Sequence, residues 1–382
     1  MRVAETVPEV ERLRPLWDAA PIDELDSDID YFLDVLQASP DACPHVVVLD
    51  RAGRDPILVI ARLTEQVVRF RIGYRTVGRS HLRSLALTFG GVVGVRTDED
   101  VNDVVSVLTD QLRHGGVDLL YLPKLAVGSP LFDALRGLPA RGLSVREETS
   151  HWTIELADSW EEFLGRRSGE SRRKLRADDS RFERAYEGRF EMRRLDLPEH
   201  RHRMDKDLET VACRTYQQAL GVGATGDFER KLMAAALDRD RARVWMLYID
   251  DQPVAFWAGI VHGSTCHLGT TGYDAEYAKA RVGYYAMRRV LEDLNNDPSM
   301  TSADFGHGDA DYKARFGTSM TLKADVVIYG GGVRARAVRF GLAVTSGLTR
   351  AGKWVAERTG RTSELKRWLR RRALAGRGDQ KS

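Results

Sequence analysis

Between residues 302 and 317 the chain reads SADFGHGDADYKARFG, which sets Asp304, His307, Asp309, Tyr312 and Lys313 close together along the chain. Carboxylates, an imidazole, a phenol and an ammonium at this density can hold a metal, cradle a phosphate or pass protons. The first two uses fail on spacing. A calcium loop starting at Asp304 would need oxygen ligands where Gly306 and Gly308 stand and a glutamate in place of Arg315. A zinc site would need partners at ligand spacing, and His307 is the lone histidine of the stretch. The GxxxxGK[ST] pattern of a phosphate-binding loop is absent. A purely structural reading is a strand ending in a glycine turn, with Asp309 capping the next helix. That reading leaves Tyr312 and Lys313 unexplained.

The flanking elements follow from hydrophobic periodicity. Met287, Val290, Leu291 and Leu294 repeat at i, i+3, i+4 and i+7, which predicts a helix ending before NNDP. TSADFG then predicts a short strand, DADYKARFG a short helix and MTLKADVVIYG a final strand. Upstream, RVWMLYID, PVAFWAGIVHG and STCHLGTTGYD read as three strands joined by the turns DDQP and HGST. Two helical patterns precede them, on Leu208, Val211 and Ala212 and on Phe228, Leu232, Ala235 and Ala236, after a strand RFEMRRLDL. A helix opens at Ser159 with Glu162 in capping-box register, and Trp160, Phe163, Leu164, Leu175, Phe182 and Tyr186 continue its stripe.

This succession resembles the GNAT acyltransferase fold over roughly residues 189–330: α/β, with a mixed, mostly antiparallel sheet flanked by helices. SWEEFLGRRSGESRRKLRADDSRFER, TTGYDAEYAKARVGYYAMRRVLEDL and DFGHGDADYKARFG together resemble the CelD/BcsL-type branch, which is associated with polysaccharide biosynthesis and related to the tandem-GNAT Fem ligases. The resemblance implies an acyl-CoA-dependent N- or O-acyltransferase acting on a sugar, polysaccharide or cell-envelope precursor, with acetyl-CoA or another acyl-CoA as co-substrate and no metal. It gives Tyr312 the role of the acid that protonates the departing thiolate, with Asp304 and His307 as base candidates. Asp309 and Lys313 are then substrate contacts. The segment YAKARVGYY falls where the family places its pyrophosphate loop, giving Lys279, Arg281, Val282, Gly283 and Tyr284 to the donor at a helix start. It departs from that pattern at Ala280 and Tyr285. Two alternatives stay open: a Fem-like transferase using aminoacyl-tRNA, and a catalytically silent scaffold at the membrane.

The first half repeats the end of the same order. HVVVLD and PILVIARL form a hairpin pattern, and a helix follows on Val101, Val104, Val105, Leu108 and Leu112 with Thr97 as its cap. The strand VDLLYL, the short helix SPLFDALRG and the strand LSVREE complete it. A tandem pair divided near Thr149 is expected, with residues 1–149 non-catalytic because PKLAVGS holds no Asp, Tyr or His, residues 150–332 catalytic, and 333–382 a basic tail.

Composition is that of a soluble globular chain, with 43% hydrophobic and 30% charged residues over 382 positions, enough for two domains. Cys43, Cys213 and Cys266 are scattered and make no disulfide framework, and neither a secretory leader nor a membrane span is read, so a cytoplasmic place is expected. The net charge of +2 conceals a tail, residues 333–382, with fourteen Lys and Arg against three Asp and Glu. YGGGVRAR reads as a flexible exit into it. In ELKRWLRRRAL, Leu365, Trp368 and Leu369 are ringed by Lys366, Arg367, Arg370 and Arg371, a pattern suited to peripheral contact with an anionic inner-membrane surface. RRSGESRRKLR at 166–176 is expected to be a salt-bridged solvated face, and DELDSDID at 23–30 a polar loop.

Overall fold

The computed structural model describes residues 1–358 except 52, 74, 115, 139–141, 147 and 216–225. The amphipathic segment at 365–371 lies outside the described residues. In chain order the elements are β1 (Arg2–Ala4), α1 (Val7–Arg12), α2 (Arg14–Asp18), α3 (Ile29–Ala38), β2 (Cys43–Arg51), β3 (Arg54–Ile72), β4 (Arg75–Val93), α4 (Asp98–His114), β5 (Leu119–Ala126), α5 (Pro130–Arg136), β6 (Leu143–Val145) and β7 (Thr149–Glu155). Then come α6 (Trp160–Gly165), α7 (Gly169–Ala185), β8 (Phe190–Arg194), α8 (Arg201–Arg214), α9 (Asp227–Asp238), β9 (Ala242–Ile249), β10 (Gln252–His262), β11 (Thr265–Tyr273), α10 (Val282–Asn295), β12 (Ser302–His307), α11 (Asp311–Phe316), β13 (Ser319–Tyr329) and α12 (Val333–Arg358).

Two compact units emerge. The first comprises Met1–Ala20, Asp41–Glu147 and the chain from Ala324 onward; the second comprises Pro21–Pro40 and Glu148–Lys323. The cut at residue 147 falls beside Thr149, but two segments differ from a simple division there. Residues 21–40 pack with the second unit because Asp28, the N-cap of α3, also accepts from Arg241 at 2.6 Å, and Asp34 accepts from Arg239 at 2.9 Å. Residues 333–358 are not a loose exit. They form α12, whose Ala335 and Val338 are buried in the first unit with Val68, Leu82 and Leu119.

In the first unit the strand order is β1-β2-β3-β4-β5 followed by the second half of β13. The neighbours β1 to β4 are antiparallel, and β4–β5 is parallel. In the second unit the first half of β13 starts the order β13-β7-β12-β11-β10-β9-β8, in which β11–β12 is the parallel pair. Each unit is thus an antiparallel meander, a helix and one parallel strand. This is a mixed α/β fold with helices on its sheets.

The second unit's sheet is buried on both sides, as the apolar run in β9 requires. Trp245, Leu247 and Ile249 face the cluster under α6, α7 and α10. Val244, Met246 and Tyr248 face the cluster under α8 and α9. One expected helix is two: α6 ends at Gly165, and Ser168 restarts the chain as the N-cap of α7, accepting the Ser171 N–H at 3.2 Å. The strands β4 and β7 were not anticipated from periodicity. No helix among the described residues is long and apolar enough to cross a membrane.

Candidate active site

The strands β11 and β12 are paired only through residues 265–267 and 302–304. Beyond this, β11 continues to Tyr273 against β10, while β12 continues to His307 against β7. The two strands therefore part at their C-terminal ends, and the 302–317 stretch lines the opening.

One sheet face at this opening collects imidazoles around a carboxylate. His267 stands opposite Asp304, and His151 of β7 stands opposite His307. The register slips between Asp304 and Gly306, where Gly306 takes φ +69°, a left-handed conformation that glycine adopts at no steric cost. Strict alternation would send residues 304 and 307 to opposite faces; the bulge keeps them together. The Asp304 Oδ2 lies 3.0 Å from His151 Nε2 and 3.3 Å from His267 Nδ1, and the Gly306 N–H donates to Oδ1 at 2.6 Å. The His151 and His307 rings have centroids 4.6 Å apart. Burial opposes charge on Asp304, but the hydrogen bonds from His151 and His267 outweigh it and hold the carboxyl far below the usual carboxylate range. Such a carboxylate orients imidazoles well and accepts a proton badly, which argues against the base role expected for Asp304.

Tyr312 stands on the other face. Its ring meets Trp257 edge-on at 5.6 Å and Phe305 at 5.3 Å, both in the cluster under α10. Burial, with Tyr284 nearby, pushes the phenol up to about 12, and no hydrogen bond to its hydroxyl is found among the described residues. The helix that carries it has only six residues and needs outside support. Arg167 supplies it, donating to the end carbonyls of Arg315 at 2.6 Å and Phe316 at 3.2 Å while lying between the rings of Phe163 and Phe316.

Two expected roles in the stretch change. Lys313 is 7% exposed, and its Nζ donates to the carbonyls of His307 at 2.7 Å and Gly306 at 3.3 Å. It braces the glycine turn from inside. Asp309 does not cap α11, whose N-cap is Ala310; its Oδ1 accepts from Trp152 Nε1 at 3.4 Å.

On the donor side, α10 begins after Arg281, a left-handed N-cap at φ 57°, and no side chain caps it. Its first N–H groups are therefore open to an anion. A Cβ on Gly283 would come within 3.0 Å of the Tyr273 ring, so glycine keeps this approach narrow. Of the expected donor residues, Lys279 is exposed, Tyr284 is half-buried near Tyr312, and Val282 is fully buried in the core. Arg281 is spent on Asp178 at 3.4 Å. Tyr285 stacks on Phe182 at 4.1 Å and donates to Glu183 at 3.2 Å, which explains a large residue where the loop pattern wants a small one. The corresponding helix of the first unit, α4, carries a carboxylate of its own at this end: Asp100 accepts from the Arg96 and Thr97 N–H groups just before the helix at 2.8 and 3.1 Å, and the Arg96 bond leads in holding its carboxyl down to about 2. Thr97 caps α4 as expected, accepting the Asp100 N–H at 3.2 Å.

His151 and His267 were not anticipated. The alternation of Trp152 and Ile154 toward the core, leaving His151 and Thr153 on the other side, was the available signal. No group of three or more His, Cys, Asp or Glu among the described residues is arranged to hold a metal ion.

Residues 169–314 match a family model described as an acetyltransferase (GNAT) domain. No curated protein matches the sequence. The fold is similar to the crystal structure of FemX, with TM-score 0.57 and 10% identity, over 86% of this chain and 97% of that one. It is likewise similar to a conserved protein of unknown function from Bacteroides thetaiotaomicron VPI-5482, with TM-score 0.54 and 13% identity, over 86% of this chain and 99% of that one. The matched residues lie wholly within the second unit, where the chain is similar to an acetyltransferase (GNAT) domain.

Proposed function

We propose that the second unit transfers an acyl group from acyl-CoA to an amine or hydroxyl of a sugar or cell-envelope precursor. The observation that carries this reading is the parted β11–β12 pair with an imidazole cluster on one face and a protonated phenol on the other. The acceptor loses its proton to an imidazole of the cluster, with His307 at its outer end, as its oxygen or nitrogen attacks the thioester carbon. The C–S bond then breaks and the thiolate takes the Tyr312 proton. Asp304 keeps the imidazoles oriented. The open start of α10, with Gly283 and the exposed Lys279, suits the donor's pyrophosphate. The glycan side of the reading rests on the resemblance of DFGHGDADYKARFG to the polysaccharide-associated branch.

One observation favours a second reading. With Arg281 drawn toward Asp178, Lys279 is, among the described residues, the one cation of this helix start with no carboxylate partner, a thin complement for a pyrophosphate. That fits a Fem-like transferase whose donor is aminoacyl-tRNA. Thermal shift with acetyl-CoA and longer acyl-CoAs decides, because a ligand of the native state raises the midpoint. A shift accompanied by thiol release supports the acyl-CoA reading. No shift with any acyl-CoA, alongside aminoacyl transfer from charged tRNA, replaces it with the second.

A further inference from the structure

We propose that α12 is a docking surface for an anionic lipid bilayer, lying along it in the plane of the headgroups. Its inward side is fixed on the first unit. Ala335, Val338 and Thr345 are buried, and Gly341 passes so close to Phe70 that a Cβ would sit 2.7 Å from the ring. Thr349 Oγ1 accepts the Gly73 N–H at 3.0 Å. The opposite side is apolar and bare. Phe340 is 72% exposed, Val344 43% and Leu348 51%, and their spacing of four residues stacks them into one stripe.

Charge names the occupant. The helix sequence holds no Asp or Glu before Glu357, while Arg334, Arg336, Arg339 and Arg350 lie along it. Arg336, Arg339 and Arg350 have no carboxylate partner among the described residues; only Arg334 comes near one, Asp118 at 3.9 Å. The sequence after residue 358 continues basic. A second copy packed helix against helix would bring like charges together and be repelled. A bilayer rich in anionic headgroups accepts both the arginines and an apolar edge a few ångströms deep. The helix is too polar to cross it.

The test is co-sedimentation of the full-length chain with vesicles of phosphatidylglycerol and phosphatidylcholine in equal parts, against phosphatidylcholine alone. Binding is expected only to the anionic vesicles and should weaken as salt rises. Phe340→Ser with Leu348→Ser should reduce it at least tenfold with an unchanged melting temperature, since both side chains are exposed. A Trp368→Ser, Leu369→Ser variant separates this helix from the chain beyond it. Loss of binding in that variant with full binding in the α12 variant would overturn the proposal. So would an absence of binding by the unaltered chain at low salt, or a dimer in sedimentation that the α12 substitutions break.

Discussion

Replacing Tyr312 with phenylalanine removes one oxygen and leaves the ring against Trp257 and Phe305. The hydroxyl has no protein partner among the described residues, so stability should move by less than about 0.5 kcal/mol. Activity should not be spared. General acid catalysis contributes roughly two to four orders of magnitude. The structure sets this case near the lower end, because a phenol pushed up to about 12 is a weaker acid than a thiol, whose ordinary value is about 8.5. The expected loss in kcat is therefore about a hundredfold, equivalent to about 2.7 kcal/mol of transition-state stabilisation. Donor affinity, measured by calorimetry, should stay within about threefold, because the interaction is made as the C–S bond breaks. The same burial predicts that the wild-type profile has no alkaline limb from Tyr312 up to about pH 10. The assay is steady-state release of free thiol from acyl-CoA, with hydrolysis as the readout where no acceptor is supplied. A folded Tyr312→Phe protein with wild-type kcat would refute the proton-donor role and leave the ring a packing element.

Three further outcomes follow from the same geometry. Asp304→Asn should cost about 2–4 kcal/mol in denaturant titrations at neutral pH, since two charge-assisted contacts to His151 and His267 become neutral ones. The folded carboxyl lies below its unfolded value, so that stabilisation is complete above about pH 5 and is lost only as pH falls through the folded value; a gap between the two proteins that grows on acidification would contradict this. Lys313→Met should lower stability by about 1–3 kcal/mol by stranding the Gly306 and His307 carbonyls, with kcat falling as the turn loosens; a change confined to KM would restore the substrate-contact reading. Gly283→Ala should leave stability within about 1 kcal/mol, as helix propensity offsets the displaced Tyr273 ring, whereas Gly283→Asp should abolish acyl-CoA binding. Calorimetry showing unchanged acyl-CoA affinity in Gly283→Asp would remove α10 from the donor site.

The elements that frame the opening were legible because their patterns are strong. The strand β9 is apolar on both faces, and α10 carries its core residues at i, i+3, i+4 and i+7. Other parts were not. The first part of β4, Arg75–His81, mixes Arg, Ser and Gly as an exposed ribbon can, and the buried Leu82, Leu85 and Leu87 that follow do not keep a strict alternation. His151 and His267 reach Asp304 from 153 and 37 residues away, and strand pairing, which no local spacing encodes, brings them together. Lys313 reads as a solvated charge until the turn it braces is seen. Tyr285 reads as a defect in a phosphate loop until Phe182 and Glu183 give it a core position.

The bulge at Gly306 makes the conformation of β12 matter as much as its composition. Elsewhere in the strand a substitution changes one group. A residue at 306 that cannot hold the left-handed turn would straighten the strand into strict alternation and change the side on which His307 emerges. The His307 imidazole would then come through to the phenol's side, and acid and base could exchange a proton directly without any substrate between them. On the proposed mechanism, the sheet acts as insulation between a proton-accepting face and a proton-donating face, bridged where β11 and β12 part by whatever molecule occupies the opening.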